Sequence, residues 1–216
     1  MTQTAVQTDL RNGPRIRETK KARHRLQIIE ATIESIARFG YAGTTVSTVV
    51  QLAGLSRGMV NLHFDTKEVL FVEVLHHLFD QYRRCWETAV DGAGPGAWNQ
   101  LTAMIDADLA PAVLNRRTMA VWFAFRAETN AHPTYLELYD SRDHVRSQLT
   151  ESLCRELADK SGCDTDPYEI SYGLNAMIEG FWTDYFLHPE DFDRECAKRI
   201  CLSYLDARFP LRAASG

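Results

Sequence analysis

Between positions 57 and 63 the chain places Arg57, Gly58, Met59, Asn61, Leu62 and His63. These side chains can read the edge of a base pair. An arginine fork bonds guanine at two atoms, an asparagine amide bonds adenine or a phosphate, and Met and Leu can meet the thymine methyl. Ser56 precedes this set. The hydroxyls of Thr44, Thr45 and Ser47 and the cations Arg23 and Lys67 are of the type that position a phosphate backbone, as is His63. A second set lies later, in Trp122, Phe125, Phe181, Trp182 and Tyr185, with Glu128, Glu179 and Asp184 close in sequence. Aromatic faces helped by a carboxylate hold a quaternary ammonium, which has no proton to donate. Such a face at helical spacing is more often plain core or a dimer interface than a cage. Arg126 stands among these rings: pointing inward it would repel a cation and favour an anion, whereas paired with Glu128 or Glu179 it leaves the cage intact.

No catalytic set emerges. Histidines 24, 63, 76, 77, 132, 144 and 188 are scattered, and neither an H-E-x-x-H nor a G-x-S-x-G spacing occurs. Glu73 and His77 stand four apart, which suits a surface pair better than a metal. Neither enzyme chemistry nor a metal or other cofactor is expected. The rival classes are an enzyme and an all-helical binding or scaffold protein without a nucleic-acid role.

The elements that must position the first set run from Thr45 to Lys67. Val46, Val49, Val50 and Ala53 recur at helical spacing. Gly54 follows, and glycine past a helix end takes the left-handed conformation that stops it. Ser56 can cap a second, short helix whose inward positions are Val60 and Phe64. Two helices joined by a glycine-containing turn make a helix-turn-helix at 45–64, whose second helix enters the major groove. A leading helix with Leu26, Ile29, Ile33, Ile36 and Ala37 on its buried face ends at Gly40. Thr44 or Thr45 caps the next. Asp65 and Glu68 have capping-box spacing for a fourth helix. Lys67 in its first turn opposes the helix dipole, which suggests a nearby anion.

Charge divides along the chain. Residues 1–64 hold nine Lys/Arg against four Asp/Glu, a net of +5; the remainder nets −10, giving −5 for all 216 residues. Only the first part is suited to a polyanion, and an acidic body would orient it. The arm RIRETKKARHR gathers Arg15, Arg17, Lys20, Lys21, Arg23 and Arg25 around Glu18. The longest apolar run, 120–125, is far too short for a membrane span, and MTQTAVQTDLRNGP lacks a signal-peptide core. A cytoplasmic protein with no membrane partner is expected. Five cysteines without a C-x-x-C pair read as reduced, mostly buried thiols.

Further helices are expected near 97–114, 116–130, 134–160, 167–187 and 190–208, separated by DGAGPG, His132-Pro133, SGCDTDP and His188-Pro189. No segment alternates like a strand. The fold class is all-α, with about nine helices. The organisation is a tail at 1–14, a three-helix DNA-binding domain at 15–66, a helical ligand-binding and dimerisation domain at 67–210, and a tail at 211–216.

The run AGLSRGMVNLHF with Lys67, inside a match from about Arg23 to Leu75, resembles the N-terminal domain of TetR-family transcriptional repressors. Further on, WFAFRAETNAHP (122–133), GLNAMIEGFW (173–182) and LDARFP (205–210) are similar to BetI-type repressors. The resemblance implies a repressor that binds a palindromic double-stranded operator as a homodimer through its last two helices. It also implies release by a small molecule such as choline. Two departures stand out: Asn61 where many relatives carry Tyr, and Arg126 where a second aromatic residue is expected. The first implies a different operator, and the second leaves open a different, anionic effector.

Overall fold

The breaks in the apolar pattern become helix ends in the computed structural model, which describes residues 20–210. Among them nine helices follow one another without a strand: α1 (Lys20–Gly43), α2 (Val46–Ala53), α3 (Arg57–His63), α4 (Lys67–Gly92), α5 (Ala97–Leu109), α6 (Arg116–Ala127), α7 (Pro133–Ser161), α8 (Pro167–Leu187) and α9 (Arg194–Arg208). The expected tails at 1–14 and 211–216, and Arg15 and Arg17 of the basic arm, lie outside the described residues.

In α1 the buried face is broader than expected and centred elsewhere. Ile28, Ile29, Ile33 and Ile36 are buried together with Thr32 and Ser35, whereas Leu26 is 40% exposed. The helix is packed from several sides, by α2, α4 and α6. Its buried polar groups are paired: Thr32 donates to the Ile28 carbonyl at 2.8 Å, and Ser35 shares a 2.9 Å hydrogen bond with Thr48 of α2. Gly40, at φ 73°, kinks the end of α1 in a region that side chains disfavour.

Caps account for most boundaries. Thr45 accepts from Thr48 N–H while Thr48 accepts in return. Gly54 closes α2 at φ 63°. For α4 the cap is Thr66, which accepts from Val69 N–H at 3.2 Å, and not Asp65. Phe64 still closes α3 in an extended conformation, so α4 begins only at Lys67, and the residue just before it supplies the cap. Pro111, which by its missing N–H is expected to kink or end the helix placed at 97–114, ends it: α5 stops at Leu109, and Ala110 before the proline is held extended (φ −65°, ψ 147°). Asp166 caps α8, with Pro167 in its first turn. α9 begins at Arg194 rather than near 190, since Asp193 accepts from Cys196 N–H.

The first three helices pack around Val49, Ala53, Val60 and Phe64. Behind them the body closes on a buried polar knot. Asp108 of α5 accepts from the Tyr82 hydroxyl at 2.7 Å and pairs with Arg146 of α7. Arg146 also donates to Asn175 of α8, and Trp182 donates its indole N–H to the Asp108 carbonyl at 2.9 Å. Burial raises the Asp108 pKa, and Arg146 and the Tyr82 hydroxyl oppose it. Four helices are thereby tied at one point. Of the cysteines only Cys154 and Cys201 are buried, their thiol pKa pushed up to about 12 by that burial; the other three are half-buried.

Candidate DNA-reading face and effector cavity

Capping and burial aim the α3 side chains. Ser56 accepts from Met59 N–H at 3.2 Å and fixes the start of the helix. Val60 and Phe64 are 2% and 3% exposed and turn one face into the head. Arg57, Gly58, Asn61 and Leu62 are therefore left outward, with Leu62 72% exposed. Met59 and His63 are half-buried at its edge. The His63 ring meets His24 of α1 edge-on, 6.2 Å between centroids. Desolvation, then His24, Lys21 and Arg25, lower its pKa, so the ring is neutral at neutral pH.

The backbone-contacting candidates separate. Arg23, Thr45 and Ser47 are exposed. Thr45 uses its oxygen as a cap acceptor and keeps its hydroxyl proton to donate. Thr44 does not join them: it is 0% exposed and donates inward to the Gly40 carbonyl at 2.9 Å, holding the kink. Arg25, expected in the phosphate-binding arm, instead pairs with Glu73 of α4 and stacks 4.7 Å over Phe64. Lys67 is half-buried, its ammonium 4.8 Å from the Phe71 centroid and 5.4 Å from that of Tyr41. Two aromatic faces meet this cation at the helix start. Glu73 and His77 also part company: His77 turns to Glu30 of α1 at 3.0 Å.

The head rests on the body through α6 and α7. Arg117 of α6 reaches Glu30 at 2.7 Å and Glu34 at 3.1 Å. Tyr41, beyond the kink of α1, touches Tyr135 of α7 at 3.0 Å and His132 at 3.3 Å.

The aromatic candidates do not form one cage. Trp122 and Trp182 meet, with centroids 5.0 Å apart, and Tyr82 lies 5.3 Å and 5.6 Å from them. Phe125 is 0% exposed and lies elsewhere, against Tyr41, Phe71 and Tyr135 at the head–body seam. Phe181 and Tyr185 face Phe192, and Arg194 sits over Tyr185. At about 100° per residue Ile178, Phe181, Trp182 and Tyr185 fall within one broad face of α8; Ile178 and Trp182 are buried, whereas Phe181 and Tyr185 are only half-buried and meet Phe192 of the loop before α9. Glu128 caps α6 and lines none of the cavities near the tryptophans. Arg126 pairs with Glu179 at 2.7 Å. This contact holds the Arg126 pKa up, although burial opposes it.

A cavity of about 280 Å³ opens between α7 and α8 beside Trp182, lined also by Tyr82, Arg142, Arg146, Asn175 and Glu179. Sequence reasoning missed Arg142 and the ring partners Phe79, Tyr82 and Tyr139. A signal was present: Tyr135, Tyr139, Arg142 and Arg146 recur at spacings of four, three and four, which put two arginines in line with two tyrosines.

Residues 98–210 match the family profile described as "BetI-type transcriptional repressor, C-terminal", and residues 28–74 match "Bacterial regulatory proteins, tetR family". The chain belongs to the TetR family, with a BetI-type C-terminal domain. This TetR-family protein is 30% identical over 185 residues to the HTH-type transcriptional regulator BetI of Ectopseudomonas mendocina, covering 84% of this chain and 91% of that protein. A solved regulator of Pseudomonas aeruginosa PAO1 superposes with a TM-score of 0.79 at 26% identity, over 89% of this chain and 94% of that one. A regulator of Saccharomonospora viridis, solved in complex with choline, has a TM-score of 0.76 at 20% identity, over 86% and 96% of the two chains, a likeness of fold. The family is one of transcriptional regulators, not of enzymes. Among the described residues no helix is long and apolar enough to cross a membrane.

Proposed function

We propose that this BetI-type repressor binds a two-fold symmetric operator as a homodimer and is released by a small molecule in the α7–α8 cavity, in the cytoplasm. The observation that carries the reading is the outward face of α3. A capped helix that presents Arg57, Asn61 and Leu62 to solvent has the chemistry of base readout and no packing reason for it. Arg57 takes guanine, Asn61 takes adenine or a phosphate, and Leu62 and Met59 meet thymine methyls. Arg23, Thr45, Ser47, His63 and Lys67 position the backbone.

One such helix reads few bases, so two heads are needed, roughly 34–36 Å apart in successive major grooves. The exposed Tyr168 and Tyr172 of α8, Leu187 at its end and Ile200 of α9 supply apolar surface for the dimer. A ligand releases DNA only by binding better to the state whose head spacing misfits the grooves; each tenfold loss of DNA affinity needs about 1.4 kcal/mol of differential binding. Tyr135 and Arg117 connect the body to α1 and offer the route. The resemblance to BetI-type repressors favours choline, and the pairing of Arg126 with Glu179 removes the objection that Arg126 would repel a cation. An anionic effector is the second reading, favoured by Arg142 and Arg146 in the cavity wall. Gel shifts on the upstream DNA, titrated with choline, betaine aldehyde and unrelated anionic metabolites, decide between them. Release by choline supports the first, release by an anion the second, and no shift at low salt contradicts both.

A further inference from the structure

The guanidinium of Arg142 stands where a bound cation would stand. Its side chain is 5% exposed. Its central carbon lies 4.9 Å from the Tyr139 ring centroid, 5.1 Å from Phe79, 5.1 Å from Trp122 and 5.9 Å from Tyr82. All four rings are within the roughly 6 Å over which a ring attracts a cation. Asp143 adds a carboxylate at 2.5 Å and Glu179 one at 3.6 Å. Rings on several sides and carboxylates at the margin are the parts of an organic-cation site, and the chain fills it with its own side chain.

Arg142 is held less firmly than its neighbour. Arg146, one turn on, is bonded to fully buried Asp108 and to Asn175. The ion partners of Arg142 are its half-exposed sequence neighbour Asp143 and Glu179, which Arg126 already engages. Arg142 also forms a common wall between the 280 Å³ cavity and one of about 160 Å³ bordered by His76, Phe79 and Trp86. The two spaces therefore meet at this one side chain. Trp122 adds a donor that is free to serve a ligand. Its indole N–H is buried and has no acceptor among the described residues, and its ring borders a small void shared with Arg142 and Glu179. A hydroxyl or carbonyl oxygen on the ligand would satisfy it. Outside, Asp140, Asp143 and Glu151 line an adjoining cleft, so the approach favours a cation.

We propose that Arg142 is the built-in occupant of an organic-cation site, and that an effector cation binds among Phe79, Tyr82, Trp122 and Tyr139 by displacing it. The proposal rests on the effector-cavity reading above for its biological use but not for its test. Displacement lowers apparent affinity by the fraction of molecules in which Arg142 has already left. It therefore sets the concentration at which the regulator responds. It also rejects neutral ligands, which gain nothing from the ring faces in exchange for the guanidinium.

The test is calorimetric titration of the full chain with tetramethylammonium, in parallel with tryptophan fluorescence, and without DNA. Arg142→Ala empties the cage, and Arg142→Gln removes the charge while keeping a polar, though shorter, side chain. Either is expected to bind tetramethylammonium at least about tenfold more tightly than the wild type, with the gain abolished by adding Trp122→Ala. No gain in both variants overturns the proposal. So does binding of benzoate by the wild type that Arg142→Ala abolishes, because Arg142 would then be an anion reader. Gel shifts on the same variants address the repressor reading separately: tighter cation binding without an effect on DNA supports the cage and contradicts the effector role.

Discussion

The hydroxyls of Tyr41 and Tyr135 lie 3.0 Å apart and join the DNA-reading head to the helix that carries Arg142. Tyr41 follows the Gly40 kink of α1, so the break in that helix delivers the ring to α7. Along α7, Tyr135, Tyr139 and Arg142 occupy one face. α7 thus connects the ring cluster around Arg142 to α1 within one helix.

Tyr135→Phe tests this link. One hydrogen bond is lost, and Tyr41 keeps His132 at 3.3 Å. Urea melts are expected to show a loss of about 0.5–1.5 kcal/mol. The effector-induced drop in DNA affinity should shrink about threefold or more, with affinity in the absence of effector less affected.

Base readout and backbone contact should separate by substitution. Arg57→Ala is expected to cost about 1–3 kcal/mol at the preferred operator and to relax selection at one base position. Arg23→Ala should weaken all sequences alike and reduce the slope of log affinity against log salt by about 1. Competition gel shifts at several salt concentrations distinguish the two patterns.

The Asp108–Arg146 pair should be the most costly polar contact to break. Asp108→Ala strands a buried guanidinium and removes the acceptor for the Tyr82 hydroxyl. A loss of about 3–5 kcal/mol is expected in urea denaturation. A loss below about 1 kcal/mol would show that Arg146 reaches water in solution.

Much of this architecture was legible because it is local. Gly54 and Ser56 end one helix and start the next by backbone geometry and a single hydroxyl, and the sequence carries both. Val60 and Phe64 follow at once as the inward face, which leaves Arg57 and Asn61 outward. The misses share a different cause. Thr44 and Thr45 are indistinguishable as residues; only the kink at Gly40 decides which hydroxyl turns inward. Phe125, Phe181 and Tyr185 fit a cage by type and spacing, yet their partners come from α1, α4, α7 and the loop before α9, which spacing within one helix cannot reveal. Arg142 was hidden because a buried arginine is read from its neighbours, here four rings from three helices.

Acid should weaken the seam between α1 and the body. The hydrogen bond from His77, opposed by burial and assisted by Arg117, holds the Glu30 pKa down from 4.5 to about 2. A depressed carboxylate pKa contributes stability that is complete above the unfolded value near 4.5 and is lost as pH falls towards 2. The Glu30 side chain is 39% exposed, so screening reduces the effect. Glu30→Gln is expected to lower Tm by on the order of 2–4 °C at neutral pH and by progressively less below pH 4.5. Thermal melts across that range check both the size and the sign.

The central claim is that α3 reads a two-fold operator. The most direct measurement is footprinting of the purified protein on its own upstream DNA at low salt, beside Arg57→Ala and Asn61→Ala. The account predicts two protected half-sites about one helical turn apart, roughly 34–36 Å, with protection weakened by both substitutions. Absence of protection, or protection that both variants leave unchanged, would contradict it.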